Sequence, residues 1–126
     1  MSGIQSEALA RRLAELADSK KAEDVVALDM RGLVAYTDFL VICTARNERQ
    51  ARAIVDEVRL QAKREMGLLP GGVDGGGEAG WIILDYLDSV LHVFTKEARE
   101  RYQLEELWRD APRVPLDLEA PEAASA

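Results

Sequence analysis

Trp81-Ile82-Ile83-Leu84-Asp85-Tyr86-Leu87-Asp88-Ser89-Val90-Leu91-His92-Val93-Phe94 reads as a β-hairpin with Leu87 and Asp88 as its two turn residues. With that turn, Tyr86 faces Ser89, Asp85 faces Val90 and Ile83 faces His92. Side chains alternate along a strand, so Trp81, Ile83, Asp85, Val90, His92 and Phe94 share one face. Asp85 and His92 become diagonal neighbours in an otherwise apolar surface, and polar groups set there need partners. Such a pair is equipped for acid–base chemistry, yet no Ser, Cys or Thr nucleophile is placed beside it. The reading preferred over catalysis is that each caps a polar group at the sheet margin. A Trp beside a carboxylate also makes an interface anchor.

Downstream, Thr95 is placed to cap a helix carrying Glu97, Ala98 and Tyr102 and running to the apolar triplet Leu104, Leu107 and Trp108. Upstream, Gly71 to Gly80 holds six glycines in ten residues and reads as a mobile loop. Pro70 confines the Leu68 to Val73 stretch to a sheet edge, if it is a strand. Ala51, Ile54, Val55, Val58 and Ala62 recur at helical spacing, with Asn47 and Gln50 as a capping box and Gly67 as the stop. Phe39 to Thr44 is continuously apolar, as a strand covered on both faces should be. Val25 to Met30 is a short strand, joined to it through Arg31 to Asp38. Leu9, Leu13 and Leu16, with Ile4 a turn earlier, give a first helix one apolar stripe. Pro112, Pro115, Pro121 and a run of Glu and Ala mark residues 109–126 as a disordered acidic tail. Residues 1–108 therefore form one α/β domain, a mixed sheet of about five strands with helices on both faces.

The 126 residues carry a net charge of −7, which argues against holding nucleic acid through many phosphate contacts and fits a basic protein partner better. Cys43 is the only cysteine, so no internal disulfide forms; in its apolar strand it is a small hydrophobe. One Cys and one His make no zinc site, and nothing calls for another metal or a cofactor. The N-terminal stretch is amphipathic rather than a signal peptide, and no apolar run spans a membrane, so a cytoplasmic location is expected. Gly75 to Gly80 matches GxGxxG by spacing, but a strand follows where a dinucleotide loop would open a helix. Asp29, Asp38 and Asp85 are spread out, without the Asp-x-Asp pair of magnesium-dependent nucleotidyl transfer. Arg46, Arg49 and Arg52 cluster where a helix dipole disfavours cations. They form a solvated face or a contact for an anion or an RNA backbone.

Several pieces in fixed order resemble the ribosomal silencing factor family, also called Iojap-like. They are Ala27-Leu28-Asp29-Met30-Arg31-Gly32, Thr37-Asp38-Phe39-Leu40-Val41-Ile42-Cys43-Thr44, Trp81 to Tyr86 with Asp88, the strand around His92, and Glu97 to Trp108 ending Tyr102-Gln103-Leu104-Glu105-Glu106-Leu107-Trp108. The resemblance covers about Asp24 to Trp108. It implies a mixed sheet between helices, distantly nucleotidyltransferase-like but without the catalytic signature, and so no enzyme. It implies a translational repressor that binds the large ribosomal subunit through ribosomal protein uL14, with a minor rRNA contact, and sterically blocks joining of the small subunit when nutrients are short. Docking carries over to Trp81, Asp85 and Asp88, with Tyr86 beside them. His92, Arg49, Tyr102 and Trp108 carry over as structural or supporting residues. Homodimers are also implied. Leu87 departs from a common Gly in the hairpin turn, Ala45 from a Gly before the second helix, and Gln103 from an acid. The alternatives are a nucleotide-handling enzyme on a related scaffold and a plain dimerisation module with Trp81 buried between protomers.

Overall fold

The computed structural model describes residues 3–75 and 79–118, with side chains from Ser6 onward. Helix α1 (Gly3–Ser19) leads into strand β1 (Glu23–Asp29), β2 (Phe39–Ala45) and helix α2 (Glu48–Met66). Strands β3 (Gly72–Gly75), β4 (Trp81–Asp85) and β5 (Ser89–Thr95) follow, then the short helices α3 (Lys96–Tyr102) and α4 (Leu104–Leu107). The strands make one mixed sheet in the order β1-β2-β5-β4-β3. Only β2 and β5 run parallel; every other neighbouring pair is antiparallel. The expected α/β class, five-stranded sheet and helices on both faces are all present.

One face of the sheet is closed by α1 and α2. Leu9, Leu13 and Leu16 of α1 and Ile54, Val55 and Val58 of α2 pack on Phe39, Val41, Leu84, Leu91 and Val93. Ala10, Ala14 and Ala17 have no exposed surface, and side chains this small let α1 lie close to the sheet. Ile4, assigned to the same stripe, lies outside the described side chains. The other face gathers Leu28, Met30, Leu40, Ile42, Val90, Phe94 and Ala98, with Trp81, Ile83, Leu104 and Trp108 against them. Every residue of β2 is buried, as expected of a central strand. Cys43 lies within it; burial pushes its thiol up to about 12, so it stays protonated as a core side chain.

The α2 ends follow the sequence signals with one change. Asn47 accepts the Gln50 backbone N–H at 2.8 Å, but the Gln50 side chain reaches back to the Arg46 N–H at 2.6 Å, one residue beyond the usual capping box. Its amide also donates to the carbonyls of Lys20 and Lys21, tying the end of α1 to the start of α2. Gly67 closes α2 at φ 67°, its N–H bonded to Lys63.

Three expectations need correction. The edge strand lies at Gly72–Gly75, inside the stretch read as a mobile loop, while Leu68–Gly71 is outside any strand. Gly75 there has φ 92°, and a Cβ would collide with the Trp81 carbonyl, so pairing this close requires glycine. The last helix is broken at Gln103, whose φ of 49° ends α3 and starts α4. Arg99 spans that break, pairing with Glu105 at 2.7 Å and donating to Thr44 Oγ1 and the Asp24 carbonyl. Finally, residues 109–118 are not a free tail. The Asp29 N–H donates to the Pro112 carbonyl and Val114 N–H to the Ala27 carbonyl, both at 2.8 Å, and Val114 is buried. This segment covers the outer edge of β1, a position that otherwise invites strand pairing. Residues 119–126, and Gly76, Gly77 and Glu78, lie outside the described residues.

Candidate partner-binding face

The hairpin has the register its alternation predicts: Asp85 opposite Val90, Ile83 opposite His92, Trp81 opposite Phe94. Trp81, Ile83 and Asp85 lie on one face of β4, each half-buried. Strand β3 adds Asp74, directly opposite Ile83 on the same face and exposed. Sequence reading passes over Asp74 because it sits among the glycines; only strand pairing reveals it. Helix α3 stops short of this end of the sheet, and Tyr102, its last residue, is exposed but rests on the Trp81 ring with centroids 4.6 Å apart. Trp81 also stacks on Phe94 at 4.9 Å. The result is an aromatic ledge with carboxylates beside it, open toward β3.

The diagonal Asp85–His92 pair does not form. Instead the Trp81 indole N–H donates to His92 Nδ1 at 3.0 Å. An indole nitrogen only donates, so Nδ1 must carry a lone pair and the imidazole is neutral, with its proton on Nε2. Burial drives the same way, lowering the His92 pKa to about 4. The Asp85 carboxylate turns the other way and accepts the Leu87 N–H at 2.8 Å. Leu87 has φ 71°, and Asp88 N–H donates back to the Tyr86 carbonyl at 2.8 Å, a tight three-residue turn that normally favours glycine. His92 thus fixes the orientation of Trp81, and Asp85 secures the turn.

The remaining assigned residues fall in different places. Asp88 is half-buried beside the turn, and its carbonyl accepts both the Asp38 and Phe39 N–H groups, locking the connection after β1 to the hairpin. Tyr86 points to the opposite face, where it is buried among the α1 and α2 contacts. It therefore does not share a surface with Trp81, and its hydroxyl has no hydrogen-bond partner among the described residues. Trp108 is half-buried under α4, whereas Leu107 of the same triplet is exposed. Arg49 is exposed on α2, on the far side of the sheet. Asp29 is held by Arg31 at 2.7 Å, and that hydrogen-bonded ion pair lowers its carboxyl pKa. Among the described residues no three His, Cys, Asp or Glu side chains gather as a metal site, and no helix is long and apolar enough to cross a membrane.

Comparison with known proteins bears on what such a face does. The family model described as "Ribosomal silencing factor during starvation" matches residues 4–126. The chain belongs to the ribosomal silencing factor family. It is 44% identical over 100 residues to the ribosomal silencing factor of Halalkalibacterium halodurans, covering 79% of this chain and 85% of that protein. It is 43% identical over 100 residues to that of Bacillus subtilis, covering 79% and 84%. A crystal structure of a Bacillus halodurans protein superposes with a TM-score of 0.70 at 40% identity, over 83% of this chain and 95% of that one. These relatives are named for silencing the ribosome, and none of their names gives a catalytic activity. On the Trp81 face, the side-chain contacts of Asp85 and His92 go to the turn and the indole, not to each other.

Proposed function

We propose that this protein represses translation in the cytoplasm by docking on the large ribosomal subunit, through ribosomal protein uL14, and standing where the small subunit must join. The observation that carries the reading is the uncovered end of the sheet, where Trp81 and Ile83 are half-buried beside Asp85 and Asp74. A rigid aromatic in a preset orientation is the usual energetic centre of an interface, and the flanking carboxylates suit a basic partner. Repression of this kind makes no bond and uses no cofactor; it needs only a tightly held obstacle. Asp88 contributes by holding the turn beside the face.

Light scattering of mixed ribosomal subunits, followed as magnesium is raised, tests this directly. Added protein should lower joining in proportion to its amount and co-sediment with the large subunit alone. Trp81→Ala with Asp85→Lys should weaken large-subunit binding at least about thirtyfold, as loss of an interface centre does, while circular dichroism shows a folded chain. Full binding by that folded variant rejects the face. Sedimentation of the free protein as a dimer that Trp81→Ala dissociates would instead assign the ledge to self-association.

A further inference from the structure

Helix α2 presents a basic stripe on an acidic protein. Arg49, Arg52, Arg59 and Lys63 follow one another at spacings of three, seven and four, so they line one side of the helix over about 21 Å. Arg46 extends the line before the helix begins. All five side chains are exposed. Asp56 is the single acid within the stripe.

Among the described residues, every arginine outside the stripe except Arg64, which adjoins Lys63, has a charged or aromatic partner. Arg11, Arg12, Arg31, Arg99, Arg109 and Arg113 each lie within ion-pair distance of a carboxylate. Arg101 lies over the Tyr102 ring. Among the described residues, the five cations of the stripe have no ion-pair partner, although Asp56 and Glu48 lie on the same helix. Arg46 and Arg49 also stand at the α2 N-terminus, where the helix dipole opposes positive charge. Intramolecular contacts therefore do not account for these charges.

We propose that the α2 stripe is a second contact surface, taking the phosphate backbone of ribosomal RNA beside the docked protein. Four of the five cations are arginines, whose planar forks match phosphate oxygens. The stripe offers no aromatic anchor for a protein partner. Helix α2 packs on the face of the sheet opposite Trp81, so the stripe points away from the docking ledge and stays free for RNA that flanks the docked protein. The net charge of −7 explains why such a stripe would not make the chain a general RNA binder. This inference rests on the docking reading above.

The test is binding to purified large subunits across a range of potassium chloride. Arg52→Gln/Arg59→Gln/Lys63→Gln should lower the slope of log affinity against log salt by about two to three, because each phosphate left without its cation keeps its counterion. Its affinity should converge with the parent's at high salt. Trp81→Ala should lower affinity at every salt concentration and leave the slope unchanged. A photo-crosslinking residue at Arg59 should label RNA. An unchanged slope in the triple variant, with the parent still bound, overturns the stripe and leaves the docking reading standing. Crosslinking to a ribosomal protein alone overturns the RNA assignment. No binding by the parent overturns both readings.

Discussion

The two faces of the sheet are built differently. On one, two long helices of 17 and 19 residues cover the strands, and Phe39, Val41, Leu84, Leu91 and Val93 have no exposed surface. On the other, helices of seven and four residues cover Leu40, Ile42 and Phe94 but run out before β4 and β3. There the sheet shows Trp81, Ile83, Asp85 and Asp74, and its one buried imidazole is spent on orienting the indole. The first face supplies stability chiefly from apolar burial. The second gives up coverage for a surface that another molecule can use.

The sharpest way to break this contrast is to cut into the closed face. Ile54→Ala should cost about 2–5 kcal/mol in urea unfolding, the usual penalty for a buried cavity. Large-subunit binding per folded molecule should stay as in the parent. A loss of binding greater than the loss of folded protein would show that the closed face also contacts the ribosome.

The open face should respond to pH instead. Above the ordinary His value of 6.5, His92 is neutral in the folded and the unfolded chain alike. Between 6.5 and about 4 only the unfolded chain takes up the proton. Stability therefore falls as pH drops through that window, by about 1.4 kcal/mol per unit, and levels off below it. Asp29 and Glu105, held low by hydrogen bonds from Arg31 and Arg99, lose their contribution only at more acid pH. Urea midpoints from pH 7 to 5 thus isolate His92, and His92→Phe should flatten the curve. A slope that survives in His92→Phe would assign the pH response elsewhere.

The smallest effect belongs to the turn beside the face. Leu87 holds φ 71°, which costs an L-residue about 1–2 kcal/mol, part of which glycine returns as greater freedom when unfolded. Leu87→Gly should raise thermal stability by up to about 1 kcal/mol and leave docking unchanged. A drop in stability would mean that the exposed Leu87 side chain makes a contact worth more than the strain.

Alternation alone gave the hairpin register and placed Trp81, Ile83 and Asp85 together. Continuous apolarity located the central strand, and the i, i+3, i+4 pattern located α2. Sequence was less informative where long-range pairing decides. Trp81 and Asp85 are both diagonal to His92, and the choice between them depends on reach and on the prior claim of the Leu87 N–H on Asp85. The β3 strand exists because β4 pairs with it, so its glycines look like a loop. Gln103 carries no signal for a helix break; the ion pair from Arg99 to Glu105 holds the new direction. Backbone hydrogen bonds to β1, the buried Ala111 and Val114, and a hydrogen bond from Arg11 to the Pro115 carbonyl seat a segment whose composition reads as disordered.

The parallel pairing of β2 with β5 also sets a schedule. Phe39 must wait for Ser89, and at about 5–20 residues added per second the wait lasts several seconds during synthesis. Throughout it, the most apolar strand of the chain has β1 on one side and nothing on the other. The five-stranded order is thus reached only when the hairpin emerges, so the segment carrying the proposed docking face is also the one that completes the sheet.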